Sequence, residues 1–267
     1  MSVTTTGTTA PPATGTTPAS VGIATRSLRN IARIPSTFLP ALLMPLVQVV
    51  AFTGTYRGVT DIPGFPTDNP ANWYLPLATV MGCSFAGMGI GFTTIRDLES
   101  GFYDRLLLSP APRSSLLAGA LWSASFRAVL AMVAVTVVGT LLGARPTNGA
   151  LAYVTLLTAA LGIAAVGTFW GLGLVYRLRD MRAAALMQLT LFFGLFLTEA
   201  QTPLGIMGGW LPTIARINPL NSVLRLARSG FVGEPSWSDV WPGLVALATM
   251  TGLAAWFARR GLDRLTR

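Results

Sequence analysis

Residues 116–142 read LLAGALWSASFRAVLAMVAVTVVGTLL, an apolar run with a single charged side chain, Arg127. As a helix it is long enough to cross the roughly 30 Å hydrocarbon layer of a bilayer. Comparable runs fall at residues 37–56, 74–95, 150–176, 183–198 and 240–258, so the sequence predicts six spans, the fifth of them the shortest. Composition agrees: of 267 residues 52% are hydrophobic and 11% charged, where a water-soluble domain carries about 25% charged residues. The expected fold is an all-α integral membrane protein.

The flanks divide differently. Residues 1–20, MSVTTTGTTAPPATGTTPAS, hold no charge and little that packs, and read as a disordered cytoplasmic tail. In the next stretch Ile23, Leu28, Ile31 and Ile34 alternate with Arg26, Arg29 and Arg33, the pattern of an amphipathic helix lying at the membrane interface; simple flanking charge before the first span is the plainer alternative. Residues 21–267 then form one transmembrane domain. Between the fifth and sixth runs, residues 199–239 are neither a clean span nor a polar loop, and Gly208, Gly209, Pro212 and Pro219 break their apolar pattern. Two short helices dipping into the interface from outside fit this segment.

Arginine placement sets the orientation. With both termini cytoplasmic, the inner segments hold Arg26, Arg29 and Arg33, then Arg96, Arg105 and Arg113, then Arg177, Arg179 and Arg182, then Arg259, Arg260, Arg264 and Arg267. The outer segments hold Arg57, Arg145, Arg216, Arg225 and Arg228, with one Arg in each of the two short outer loops, the inward bias that the positive-inside rule expects. The net charge of +9 is explained by this asymmetry and by anionic lipid headgroups, so nucleic acid is not an expected partner. Neither a repeat of 20–50 residues nor an inverted pair of broken spans is visible.

Several chemistries are excluded by absence. The chain has no Lys and no His, so it carries no Walker A phosphate loop and lacks the commonest general base and metal ligand. One cysteine, Cys83, allows neither an intrachain disulfide nor a Cys-rich zinc site. An integral-membrane lipid-modifying enzyme would show paired carboxylates or a nucleophile beside a base. An ion-coupled carrier would place an acid within a span. The acidic residues all lie outside the expected spans, which disfavours both alternatives.

The most informative polar stretch is the inner segment 96–113, RDLESGFYDRLLLSPAPR. Leu98, Phe102 and Leu106 at helical spacing, with Asp104 and Arg105 beside them, describe a short amphipathic element offering apolar knobs and charges to a cytoplasmic partner. A surface-bound helix capping the third span is the alternative.

This segment resembles the permease subunits of type-2 ABC exporters, the daunorubicin-resistance-like drug and lipid export family. Glu99 and Gly101 stand where that family carries an acidic-plus-glycine element, and Leu107, Pro110 and Arg113 where it carries a Leu-Leu-x-x-Pro element and an Arg. Pro45, Arg127 and the outer pattern Gly209-Trp210-Leu211-Pro212, Asn218-Pro219-Leu220, Arg225 and Gly230 extend the likeness over all but the tail. Residues 199–204, EAQTPL, depart from the Ser-Gly-x-x-x-Pro element common after the fifth span. The resemblance implies a permease that pairs with a second chain, identical or related, in the cytoplasmic (plasma) membrane. Separate ATP-binding subunits would carry the ATP and magnesium, with no cofactor in this chain, to export an amphipathic drug, lipid or glycolipid. It makes 96–113 the coupling helix, with Arg96, Asp97, Glu99, Gly101, Phe102, Asp104, Arg105, Leu107, Pro110 and Arg113 as docking residues and no catalytic residue.

Within the spans, Arg127 either snorkels to the inner interface or meets a substrate headgroup. Gln48 and Gln188 line a pathway between paired chains or bond across helices. Phe192, Phe193 and Phe196 form an aromatic patch suited to a dimer seam or an amphiphile, and the resemblance brings the first and fifth spans together at that seam. Glu199, at the outer end of the fifth span, is either solvated or facing a cationic substrate. The pairs Gly87/Gly91, Gly139/Gly143 and Gly167/Gly171 each leave a helix face bare for close packing.

Overall fold

In the computed structural model the described residues are 20–22, 24–25, 29, 39–108, 112–234 and 236–265. Of the expected tail only Ser20 is among them; Ile23, Arg26, Leu28, Ile31, Arg33 and Ile34 of the expected interfacial helix lie outside the described residues. Residues 20–22 and 24–25 are helical, and the Ser20 hydroxyl donates to the Ser115 carbonyl at 3.4 Å.

The described residues fold into helices: α1 (Leu39–Thr55), α2 (Pro70–Glu99), α3 (Phe102–Leu107), α4 (Ser114–Leu141), α5 (Gly149–Leu178), α6 (Arg182–Phe196), α7 (Leu211–Ile217), α8 (Pro219–Arg228) and α9 (Trp237–Leu265), with a 3-10 turn at Arg57–Asp61 and no strand. Four of them, α2, α4, α5 and α9, are long and apolar enough to cross a membrane. The two others expected as spans are shorter, 17 residues in α1 and 15 in α6. At 1.5 Å per residue α6 is about 22 Å long, short of the hydrocarbon thickness. The expected pair of short helices before the last span is present as α7 and α8.

α2 is the central post. Asn69 caps its start, the side chain accepting from the Ala71 N–H at 2.9 Å, and Pro70 occupies the first turn where no N–H is needed. The helix runs through Glu99 rather than stopping near Ile95, because nothing in Arg96–Glu99 opposes helix. Its 30 residues reach about 45 Å, so it overhangs a bilayer core by several turns. α5 lies across one face, α4 and α1 against others; α9 packs on the far side of α5, and α8 fits among α2, α5 and α9.

Small residues make the α2–α5 crossing possible. A methyl on Gly87 would fall into the backbone of Ala164, and one on Gly167 would stand 2.8 Å from the Ser84 carbonyl. Gly91 and Gly171 both face the Met187 thioether of α6. Gly139 takes the Leu75 side chain, but Gly143 is not its partner on a helix face: it lies beyond α4 with φ +98°, where a glycine ends the helix. Pro45 of α1 rests on Gly82, which a Cβ would bring within 3.0 Å. Buried hydroxyls in this core are spent on their own helices: Thr79, Ser84, Thr94 and Thr168 each donate to the carbonyl four residues earlier.

Two glycines on one face of α2 therefore predict different costs. Gly87→Ala meets backbone and should destabilise by about 1–3 kcal/mol. Gly91→Ala meets a movable thioether and gains helix propensity, so it should be close to neutral. Thermal unfolding of both variants in one detergent measures the difference.

Candidate functional site

The segment 96–113 is divided by the fold. Arg96, Asp97 and Glu99 are on the last turn of α2; Arg96 and Glu99 are exposed and Asp97 half-buried. The helix ends where the Ser100 N–H bonds the Arg96 carbonyl at 3.0 Å and the Ser100 hydroxyl donates to the Asp97 carbonyl at 3.2 Å. Gly101 then takes φ +66°, a left-handed turn that glycine adopts without a Cβ penalty, and α3 begins at once. Half of the segment's charged residues thus extend a spanning helix, and the break before the short amphipathic element falls at Gly101.

α3 is held by a residue that the sequence reading did not single out. Tyr103 is buried, and its hydroxyl is 2.6 Å from that of Tyr176 near the end of α5. Leu98 and Leu106 pack into the same cluster with Leu116, Ala120 and Leu262. Burial foremost, then Tyr176 and the Asp97 charge, push the Tyr103 phenol well above its ordinary range, so this link stays neutral in physiological conditions. Phe102 is half-buried, while Leu108 and Arg113 face outward. The side chains of Asp104, Arg105 and Leu107, and all of Pro110, lie outside the described residues. What remains outward is a small surface of mixed charge and leucine on a short element whose other face is locked to α5.

At the opposite end of the bundle a second polar site closes the break between α6 and α9. Arg228, buried at the end of α8, donates to the carbonyls of Glu199 at 2.8 Å, Ala200 at 2.7 Å and Trp73 at 3.3 Å, and its guanidinium lies 3.5 Å from the Trp73 ring centroid. Asn221 accepts from the Glu199 N–H at 2.8 Å, and Asn218 donates to the carbonyls of Gly194 and Leu197, which α6 leaves open at its end. Tyr74 donates to the Gln201 carbonyl at 3.1 Å. Glu199 is buried, with its carboxylate 4.0 Å from Arg225, which in turn bonds Asp239 of α9. Burial raises the Glu199 carboxyl above its ordinary value, although Arg228 and Arg225 oppose the shift.

The intramembrane candidates separate into two places. Gln48, Phe192 and Phe196 line one cleft of about 290 Å³ whose walls are α1 and α6 and whose floor is α2. The Gln48 Oε1 atom is buried without a hydrogen-bond partner among the described residues. Gln188 joins Phe192 and Phe196 in the adjoining shallow groove along α6. Arg127 is elsewhere. It lies midway along α4, 4% exposed, with its guanidinium beside Gly89 of α2, so it does not snorkel to an interface. Nothing in the sequence pattern distinguished these outcomes, because a lone Arg in an apolar run has the same spacing whether it faces lipid or a helix.

Residues 21–232 match the family described as ABC-2 type transporter. The chain is 28% identical over 235 residues to the daunorubicin resistance ABC transporter permease protein DrrB1 of Streptomyces coeruleorubidus, covering 87% of this chain and 81% of that one. It is 27% identical over 240 residues to a protein named as transport permease ycf38 from Pyropia yezoensis, covering 84% and 80% of the two chains. It is 26% identical over 236 residues to its namesake from Porphyra purpurea, covering 82% and 79%. The chain belongs to the ABC-2 type transporter family and is a multi-pass membrane protein.

Tyr103→Phe removes the hydroxyl link and strands the Tyr176 hydroxyl in the core, which should cost about 1–3 kcal/mol. The double variant Tyr103→Phe/Tyr176→Phe should recover much of that loss, and thermal unfolding of the cycle reads the coupling. Glu199 gives a pH-dependent counterpart. Because its folded value is raised, its favourable contribution is present below the unfolded carboxylate range and is lost as pH climbs through the folded value. Glu199→Gln should therefore be at least as stable as the parent at pH 7, with the difference shrinking toward pH 4; unfolding midpoints at both pH values decide it.

Proposed function

We propose that this member of the ABC-2 type transporter family is the permease subunit of an ATP-driven exporter whose ATP is bound and hydrolysed in separate subunits. Two permease chains, identical or related, pair to form the transporter, with α1 and α6 as the fifth and sixth membrane-crossing elements beside the four long helices. Both termini face the cytoplasm, a reading that the arginine distribution supports. The exported substrate is amphipathic: a drug, lipid or glycolipid.

The observation that carries this reading is the geometry at Gly101. A central helix overhangs the bilayer, reverses at a left-handed glycine and leads straight into a six-residue helix. That short helix is tied inward through Tyr103, while Arg96, Glu99 and Leu108 remain outward. Closure of ATP-binding subunits against such an element would load α2 along its axis and α5 through the Tyr103–Tyr176 bond. The α1–α6 cleft, with Gln48, Phe192 and Phe196 on its walls, and the adjoining groove along α6 that Gln188 lines form the seam where a second chain meets the first and an amphiphile passes. The likeness to a permease named for daunorubicin resistance supports a drug-like amphipathic cargo.

Affinity purification of the tagged chain from membranes in mild detergent tests the assembly. A separate P-loop subunit should be recovered in stoichiometric amount. Glu99→Arg, which reverses a charge at the docking surface, should reduce that recovery by about tenfold or more while membrane insertion is unchanged. Unchanged recovery in the variant would remove Glu99 from the docking surface, and recovery of the permease alone from the parent would overturn the reading.

A further inference from the structure

α6 and α9 both rest on α5 and leave between them a second cleft, separate from the α1–α6 cleft, with a volume of about 410 Å³. That volume is in the range of small-ligand cavities, about 300–1,000 Å³. Ile163 and Trp170 of α5, Met187 and Leu191 of α6, and Met250 and Trp256 of α9 line it. Two hydroxyls reach its wall, but Ser84 donates to the Val80 carbonyl and Thr190 to the Leu186 carbonyl. The interior therefore offers mainly hydrocarbon and aromatic surface, with the Trp170 indole N–H the lining donor left without a partner among the described residues, which suits a chain of methylenes better than a polar group.

The polar requirement appears at one end of the cleft. Trp256 is half exposed, and the Arg260 guanidinium stands 4.1 Å from its ring centroid, one helical turn along α9 toward the arginine-rich end. Arg177 is already committed: it donates to the carbonyls of Gly173 and Phe257 and covers the Phe257 ring, which stacks on Trp170 and closes the cleft there. Arg260 is exposed, and the ion pairs Arg182–Asp180, Arg225–Glu199 and Arg225–Asp239 do not involve it. Arg264 and Arg260 lie near enough to Arg177 to repel its charge, with Asp263 the acid beside them on α9. The mouth thus combines an apolar slot, an indole at the rim and an excess of positive charge.

We propose that this cleft binds one acyl chain of an anionic glycerophospholipid, with the chain between α6 and α9 and the phosphate at Arg260. In the orientation proposed above the lipid belongs to the cytoplasmic leaflet. The site is distinct from the seam between paired permeases, and a lipid there fills the gap that α6 and α9 leave, so it holds α6 against α5 from the side opposite that seam.

Native mass spectrometry of the purified full-length chain in mild detergent tests this, after titration with phosphatidylglycerol or with phosphatidylcholine of the same acyl chains. One phosphatidylglycerol should be retained in preference to phosphatidylcholine. Arg260→Gln should lower that preference by about fivefold, the effect of one cation near an anionic surface, while Arg145→Gln, at the far end of the bundle, should leave it intact. Val166→Phe, which places a ring in the slot, should lower retention of both lipids. Equal retention of the two lipids by the parent would overturn the proposal, as would a preference insensitive to Arg260→Gln. Recovery of a polypeptide in the cleft, seen as a crosslink from Leu253→Cys to another chain, would overturn it in favour of a protein occupant. The readout needs neither ATP nor a partner subunit, so its failure leaves the export reading standing.

Discussion

A helix that breaks near a bilayer leaves carbonyls and N–H groups that water does not reach, and each must find a partner in the protein. In this chain the heaviest such demand falls between α6 and α9. The open carbonyls at the end of α6 go to the Asn218 side chain; those of Glu199, Ala200 and Trp73 go to Arg228; the Glu199 N–H goes to Asn221. The turn after α8 is satisfied in the same way, since Thr155 donates to the Ser229 carbonyl and Thr147 to that of Gly230. This explains why a cation is buried here at all. Three carbonyl dipoles and the face of Trp73 replace the water that Arg228 loses, and the irregular chain gains a fixed geometry in exchange.

That network sets the start of α2, and Gly101 with α3 sets its end. Between them the α2–α5 crossing is too close to slide without lifting backbone from backbone, as Gly87 on Ala164 requires. The pair is therefore best described as a stiff strut, tied to the break between α6 and α9 through Trp73 and to α3 through Tyr103 and Tyr176. Packed helices, rather than a long loop, join α3 to the far end of the bundle.

Much of this arrangement was legible in the sequence. The apolar runs located the helices to within a few residues, Pro and Gly marked the paired short helices α7 and α8, and the glycines at 87, 91, 167 and 171 marked close contacts. What was not legible depended on who faces whom. Glu199, at the end of an apolar run, reads as a solvated acid or one facing a cationic substrate, yet it is buried with Arg225 4.0 Å away. Arg127 reads as snorkelling to the inner interface or meeting a substrate headgroup, yet α4 turns it toward Gly89. Tyr103 drew no attention beside the charges around it, because its partner Tyr176 lies in another helix. Periodicity reports the face on which a residue lies; it does not report what that face meets.

α6 is lightly supported, and its position gives that weakness meaning. It buries only Ala183, Ala184, Met187, Leu191 and Leu195, while Leu186, Leu189, Phe193 and Phe196 stay exposed. Its start is held by Asp180, whose carboxylate takes the Arg182 guanidinium and N–H and is lowered below its ordinary value chiefly by that bond; its end is held by Asn218. Clefts lie on both flanks, toward α1 and toward α9. A short helix pinned at its two ends, with clefts along both flanks, takes its remaining support from whatever fills them: a paired chain on the α1 side and a lipid acyl chain on the α9 side, in the assignments proposed above.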